Sequence, residues 1–365
     1  MKFFKQKRKE RGNLDHQKYI VLKMNENADL TPVPRTSEDD LDTAKLSLYL
    51  DAIREKYGPV FLEKKDLLEK LGIISSFGEN QTATLAGLLI FGKNPQLYLP
   101  QLHVTILSGN GGNATVDKIY GTLPVMKERT METIKKRMGK RAKVGYLSGK
   151  HFEMPAYPLE AIEEAVWNSL IHRDYDSYAS GKYIRITMTE KFIEIKSPGP
   201  LLGERKQDFN IERYVYCRNT SIVRILQEMG KIRNAGTGMK TMFSQAKKYR
   251  LEPPVFESSG EEFTARLGNR EILGMEDIRR LEEMNLKIDE DRMAAVSYAM
   301  KNGSINNREY QNLNDVNRDE AFRELKSLVD QEVLIQEGTG SGTYYVVNEK
   351  LKERENQKAQ LSFFS

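Results

Sequence analysis

The sequence predicts an α+β chain: an N-terminal α/β segment, a central α/β sandwich, and a C-terminal unit of three helices and a hairpin. Three observations predict it. Tyr183-Ile-Arg-Ile-Thr-Met and Phe192-Ile-Glu-Ile-Lys alternate apolar and polar residues, as two strands of a hairpin do. Residues 158–172 place Ile162, Ala165, Val166, Ser169 and Leu170 on one helical face, with Pro158 suited to the first turn. Near the C-terminus, helical patterns precede Val333-Leu-Ile-Gln-Glu, a glycine-rich turn and Thr343-Tyr-Tyr-Val-Val.

Taken in order, residues 1–38 form a basic segment with a strand at Tyr19–Leu22 and a loop around Pro32 and Pro34. Residues 39–150 form a helical/αβ region. Its first two helices carry Leu41, Leu46, Leu48, Leu50, Leu67, Leu68 and Leu71 as core, and Thr84–Pro95 and His103–Leu107 follow. Gly92-Lys93 is no Walker motif, because the upstream glycine and the following Ser or Thr are missing. The sandwich occupies 151–272, the C-terminal unit 273–350, and 351–365 reads as a flexible tail.

The chemistry concentrates in residues 155–175. Glu164, Asn168 and His172 stand four apart, so they share one line of the helix, about 400° per step. Asn and His are middling helix formers, and two of them in a carboxylate–carboxamide–imidazole line invite a site. Downstream, Ser197-Pro-Gly199-Pro makes a rigid bend where backbone can approach a ligand closely. Gly236-Thr237-Gly238 then opens a helical stretch from Lys240 to Tyr249, offering free N–H donors and a positive dipole end to an anion such as phosphate. His172-Arg173-Asp174 also reads as a helix C-terminus followed by a turn.

Helix with Glu-x-x-x-Asn, strand ending in a Pro-Gly bend, and Gly-x-Gly before a helix: this order resembles the Bergerat ATP-binding fold of the GHKL superfamily, which includes gyrase, Hsp90, histidine kinases and MutL. Tyr157-Pro158, Glu164-x-x-x-Asn168-x-x-x-His172-Arg173-Asp174-Tyr175, Ser197-Pro198-Gly199 and Gly236-Thr237-Gly238 more closely resemble the bacterial RecG-like, AlbA/Schlafen-associated ATP-binding family, over roughly residues 82–268. That resemblance implies ATP and Mg²⁺ as cofactors. It implies Asn168 as the metal ligand, Glu164 as the residue that orients or deprotonates water, and Gly236 and Gly238 against the phosphates, with His172, Arg173, Ser197, Gly199 and Thr237 completing the nucleotide site. The chain departs from the wider pattern at Ser197, where relatives carry an adenine-binding Asp, and at Arg233, where they commonly carry Glu. A full AlbA/Schlafen-type domain does not fit in the first 38 residues, so either it is absent or only its last strand remains.

Three helices and a glycine-turned hairpin spell a winged helix-turn-helix. Asn306-x-x-Glu309 and Asn317-x-x-Glu320 resemble capping boxes. Asp319-Glu-Ala-Phe mimics a helicase box without any phosphate loop, and Gly338-Thr-Gly-Ser-Gly mimics a phosphate cradle but lies between strands. By resemblance, Asn317, Arg318, Arg323 and Lys326 of the third helix contact DNA. Between Ser304 and Val347, however, four basic residues face eight acidic ones, and phosphate neutralisation dominates duplex affinity. Dimerisation or partner docking is the competing role. A homodimer is expected, since winged helices usually act on paired half-sites.

Composition narrows the rest. With 365 residues, two or three domains can each bury a core. A single cysteine, Cys217, excludes a disulfide framework and a thiolate zinc site. No apolar run reaches the length needed to span a bilayer, and the basic N-terminus has no apolar stretch behind it, so a cytoplasmic protein without membrane partners is expected. The functional expectation is an ATP-binding regulator, a transcriptional regulator in which nucleotide binding is coupled to the winged helix. Slow Mg²⁺-dependent hydrolysis through Glu164 is compatible with that reading; an ATPase of nucleic-acid processing or phage defence, and an interaction protein with a vestigial pocket, stand as alternatives.

Overall fold

Ile184, Ile186 and Met188 are buried while Arg185 and Thr187 between them are half-exposed, a period-two pattern that seats a strand on a layer of helices. The computed structural model describes residues 28–58, 62–77, 80–109, 114–144, 151–176, 181–202, 217–232, 237–284, 286 and 288–350. The expected strand at 19–22, Arg233, Gly236 and the tail 351–365 lie outside these.

In chain order the helices are α1 (Thr43–Tyr57), α2 (Lys64–Lys70), α3 (Leu85–Phe91), α4 (Pro95–Tyr98), α5 (Leu123–Arg137) and α6 (Leu159–Ile171). They continue with α7 (Thr220–Glu228), α8 (Gly238–Lys248), α9 (Met275–Glu283), α10 (Glu290–Asn302), α11 (Asn307–Asn314) and α12 (Arg318–Asp330). The strands begin with β1 (Ile74–Phe77), β2 (Asn80–Ala83), β3 (Val104–Ser108), β4 (Thr115–Ile119), β5 (Lys140–Val144) and β6 (His151–Pro155). The others are β7 (Ile184–Met188), β8 (Phe192–Pro198), β9 (Val255–Ser258), β10 (Glu262–Gly268), β11 (Ile305–Asn306), β12 (Leu334–Glu337) and β13 (Tyr344–Val347).

The main sheet has the order β4-β3-β7-β8-β10-β9, and β3 pairs with β7 in parallel while the other neighbours are antiparallel. The parallel pair needs a long crossover, and the chain between Ser108 and Ile184 supplies it through α5 and α6. Ile106, Ile186, Ile195, Ala265 and Phe256 stand in register across five strands and are buried on the helix side. One apolar cluster runs from Ala28 to Leu267, so the expected segments 39–150 and 151–272 share a core and a sheet. Leu48, expected in that core, is 72 % exposed, because α1 turns Leu46, Tyr49, Leu50 and Ile53 inward instead.

A second cluster, Ile272 to Val347, holds α10, α11, α12 and the small sheet β11-β13-β12. The predicted helices and hairpin are all present. Asn306 and Glu309 satisfy each other's backbone N–H groups reciprocally, whereas Asn317 caps α12 through the Glu320 N–H alone, at 2.9 Å. Gly338 in the hairpin has φ +73°, and a Cβ there would lie 2.3 Å from the Gly342 carbonyl oxygen, so the turn requires glycine. Among the described residues no helix is long and apolar enough to cross a membrane.

The two clusters meet at the C-terminal end of α8. Lys247 donates to Asp291 Oδ2 at 2.9 Å and to the Asn314 carbonyl at 2.6 Å. Arg250 pairs with Glu290 at 2.5 Å. Ile272 N–H donates to the Arg250 carbonyl at 2.9 Å, tying the first residue of the second cluster to the end of the same helix.

Candidate functional site

Helix α6 follows Pro158, whose φ of −63° is already helical, and buries Ala161, Ile162, Ala165, Val166 and Leu170. Its opposite line, Glu164, Asn168 and His172, is only half-buried. Helix α8 begins at Gly238, which packs directly on that line. A Cβ at Gly238 would lie 2.3 Å from Glu164 Oε1 and 2.5 Å from Asn168 Nδ2, so only a glycine leaves these side-chain tips where they are. The structure therefore brings Gly238 onto Glu164 and Asn168, which lie 70 or more positions before it in the chain. Thr237 precedes them on the exposed side.

Burial and the neighbouring Glu163 carboxylate raise the pKa of Glu164 above the usual carboxyl range. His172 caps α6, its N–H donating to the Asn168 carbonyl at 2.9 Å. Burial and the Arg218 cation pull its imidazole down to about 4. The ring is thus neutral at pH 7 and offers hydrogen bonding, not charge, to any anion.

Other expected site residues are engaged elsewhere. Arg173 is 1 % exposed, donates from Nη2 to the Lys182 carbonyl at 2.6 Å, and packs over the Tyr175 ring. It lines a small, partly open pocket with Leu89, His103, Met126 and Tyr175, a set that includes no residue of α8. Ser197 is buried, and its hydroxyl donates to the Ser169 carbonyl at 2.9 Å, fastening β8 to α6. Gly199 has φ +100°, and its close approach is to the protein's own chain: a Cβ would lie 2.5 Å from Asp174 Cβ and 2.7 Å from Arg218 Nη1. Asn317, Arg318, Arg323 and Lys326 are exposed on α12, although the Asn317 carboxamide is engaged as the helix cap.

Two bracing residues were not legible as such. Asn219 is fully buried and donates from Nδ2 to the Ile171 and Arg173 carbonyls at 2.7 and 2.8 Å, while Arg218 donates to the His172 and Pro200 carbonyls. Together they hold the end of α6 against the β8 bend. Asn219 stands just before α7 and reads as its cap, but that cap comes from Asp29, whose Oδ2 accepts from Ser221 and Ile222 N–H at 2.8 and 3.0 Å.

Residues 181–267 match the family model described as "Putative ATP-dependent DNA helicase recG C-terminal". This part of the chain is similar to a RecG-like, ATPase-type domain. Glu164, Asn168 and His172 lie ahead of the matched span; packing joins them to it. Residues 17–105 match a second model, a domain of unknown function (DUF8451). No curated protein matches the chain. Among solved structures it is similar to the DIP2311 protein from Corynebacterium diphtheriae, with 18 % identity and a TM-score of 0.52 over 89 % of this chain. The chain spans 65 % of that protein's length, and the likeness is one of fold.

Proposed function

We propose that the protein is an ATP-binding regulator of the Bergerat type, in which ATP and Mg²⁺ bind between α6 and the start of α8 and control a winged helix that contacts DNA. The observation that carries this reading is the seat of Gly238 on Glu164 and Asn168. The residues suit the cofactor. Gly238 lets the start of α8 approach the Glu164 and Asn168 side chains closely, the first turn of α8 has N–H groups that suit an anion, and Asn168 carries a carboxamide whose oxygen is a hard ligand. Mg²⁺, when bound, neutralises phosphate charge and lowers the proton affinity of its waters. Asn168 positions that charge, and Glu164, with its raised affinity for a proton, accepts one from water. That feature of Glu164 favours slow hydrolysis as a second reading. The Ser197 hydroxyl, already donating to α6, supports weak discrimination among bases.

The coupling runs along α8. Its first residue lies against the proposed nucleotide site, and Lys247 near its last turn grips α10 and α11 of the C-terminal unit. A helix is a stiff connector, so a shift at Gly238 reaches the winged helix without an intervening loop. Such control requires two arrangements that bind nucleotide unequally.

ATP with Mg²⁺ should raise the melting temperature, Asn168→Ala should abolish the rise, and Arg323→Glu should weaken duplex binding at moderate salt. Absence of any shift with millimolar ATP, ADP or GTP sinks the reading.

A further inference from the structure

The main sheet has one face on the helices and one outside, and the outer face combines cations with aromatic rings. Lys118 of β4, Thr105 of β3, Arg185 of β7 and Lys196 of β8 stand in register, a row that crosses three strand spacings or about 14 Å. Tyr120, His103 and Tyr183 flank the ends of β4, β3 and β7, where continuing the period-two alternation one step puts them on the same side as Lys118, Thr105 and Arg185. His103 stacks on Tyr183 with centroids 5.0 Å apart and planes 17° apart, and lies 5.2 Å from the Tyr120 ring. The two tyrosines remain 42 % and 39 % exposed, whereas His103 is buried beneath them. Its Nδ1 donates to the Pro100 carbonyl at 2.9 Å, which fixes the ring as a support.

Charge is unbalanced in one direction at the β4–β3–β7 end of this face, whereas Glu257 of β9 stands in the same row beyond Lys196 and Thr264. The carboxylate of Glu194, in the next outward row, is paired with both Arg266 and Lys196. Lys118 and Arg185 have no carboxylate partner among the described residues. Ring faces held flat beside unpaired cations are the two components by which proteins hold single-stranded nucleic acid: bases stack on the rings and phosphates meet the cations. A duplex keeps its bases stacked on one another and cannot use the rings.

We infer that the outer sheet face formed by Tyr120, Tyr183, Lys118, Arg185 and Lys196 is a binding site for single-stranded nucleic acid, separate from the helix α12 surface. Bases stack on Tyr183 and Tyr120, and the backbone tracks the cation row across β4, β3, β7 and β8.

The test is fluorescence anisotropy of the full chain with labelled 20-nucleotide single strands of mixed sequence, one DNA and one RNA, and with the matching DNA duplex. Either single strand should bind more tightly than the duplex, and the tighter of the two identifies the sugar preferred. Tyr183→Ala and Tyr120→Ala should each weaken single-strand binding about 5-fold or more, while Tyr183→Phe keeps it. The double variant Lys118→Gln/Arg185→Gln should lower the slope of log affinity against log salt by roughly 1.4, because two phosphates are no longer neutralised. Melting temperatures within a few degrees of the parent verify folding. Duplex binding equal to that of single strands, indifference to both tyrosine changes, or loss of single-strand binding on Arg323→Glu overturns the inference.

Discussion

Gly238→Ala isolates the contact on which the nucleotide site depends. The added methyl would lie 2.3 Å from Glu164 Oε1 and 2.5 Å from Asn168 Nδ2, whereas non-bonded heavy atoms settle at about 3.5 Å, so both tips must withdraw by roughly 1 Å. They are ends of flexible side chains at a half-buried rim, and alanine suits a helix start, so the stability of the free protein should change by no more than about 1 kcal/mol. Affinity should suffer far more, since a misplacement of about 1 Å in a positioning group is worth about 100-fold. With ATP and Mg²⁺ at 100 times the parent Kd, binding stabilises the fold by about 2.7 kcal/mol, which falls to roughly 0.4 kcal/mol after a 100-fold loss. Differential scanning fluorimetry should show a nucleotide-induced rise of about 5–10 °C in the parent and about 1 °C in the variant. An unchanged rise would refute the siting of the nucleotide. So would a ligand-free melting temperature that drops by more than about 4 °C, because Gly238 would then serve packing and not binding.

Glu164→Gln should make the free protein more stable at pH 7–8. Burial and Glu163 raise the folded-state pKa of Glu164, so the parent loses stability as pH rises through that value, and the difference should vanish below about pH 4.3, where the unfolded carboxyl is protonated too. His172 acts in the opposite sense. With its folded pKa lowered to about 4, its contribution is complete above about pH 6.5 and is lost as pH falls from there towards 4, and His172→Gln should flatten that limb of a melting-temperature profile. Lys247→Ala removes the donor that spans Asp291 and the Asn314 carbonyl. Calorimetry should then resolve separate transitions for the two apolar clusters, and ATP should lose its effect on duplex affinity; a single, nucleotide-responsive transition would contradict the coupling through α8.

Where burial follows the spacing of residues along one element, the sequence is legible. The alternation in β7 and β8, the apolar face of α6, the Asn306–Glu309 capping box and the β12–β13 hairpin all rest on neighbours a few positions apart. The line Glu164–Asn168–His172 is legible for the same reason. Leu48 escapes this reading because α1 has more leucines than its buried face admits, and only the packing of Leu46, Tyr49, Leu50 and Ile53 decides which of them turns out.

Gly199 and Ser197 lie beyond it as well. A Pro-Gly bend signals close approach without saying to what, and the partners prove to be Asp174, Arg218 and the Ser169 carbonyl. Arg173 adjoins a site motif in sequence, yet the end of α6 carries it into the interior, where the Lys182 carbonyl receives it.

The sequence by itself determined the β7–β8 alternation, the apolar face of α6 with its chemical line, and the C-terminal helices and hairpin, because each depends on the period of a single element or a short turn. Tertiary structure alone decided that α8 starts against that line and that Asp29 caps α7 from far upstream. It also decided that β3 joins β7 to complete an outer face of rings and cations. Those contacts join residues tens to hundreds of positions apart, and no local spacing encodes which distant backbone will arrive.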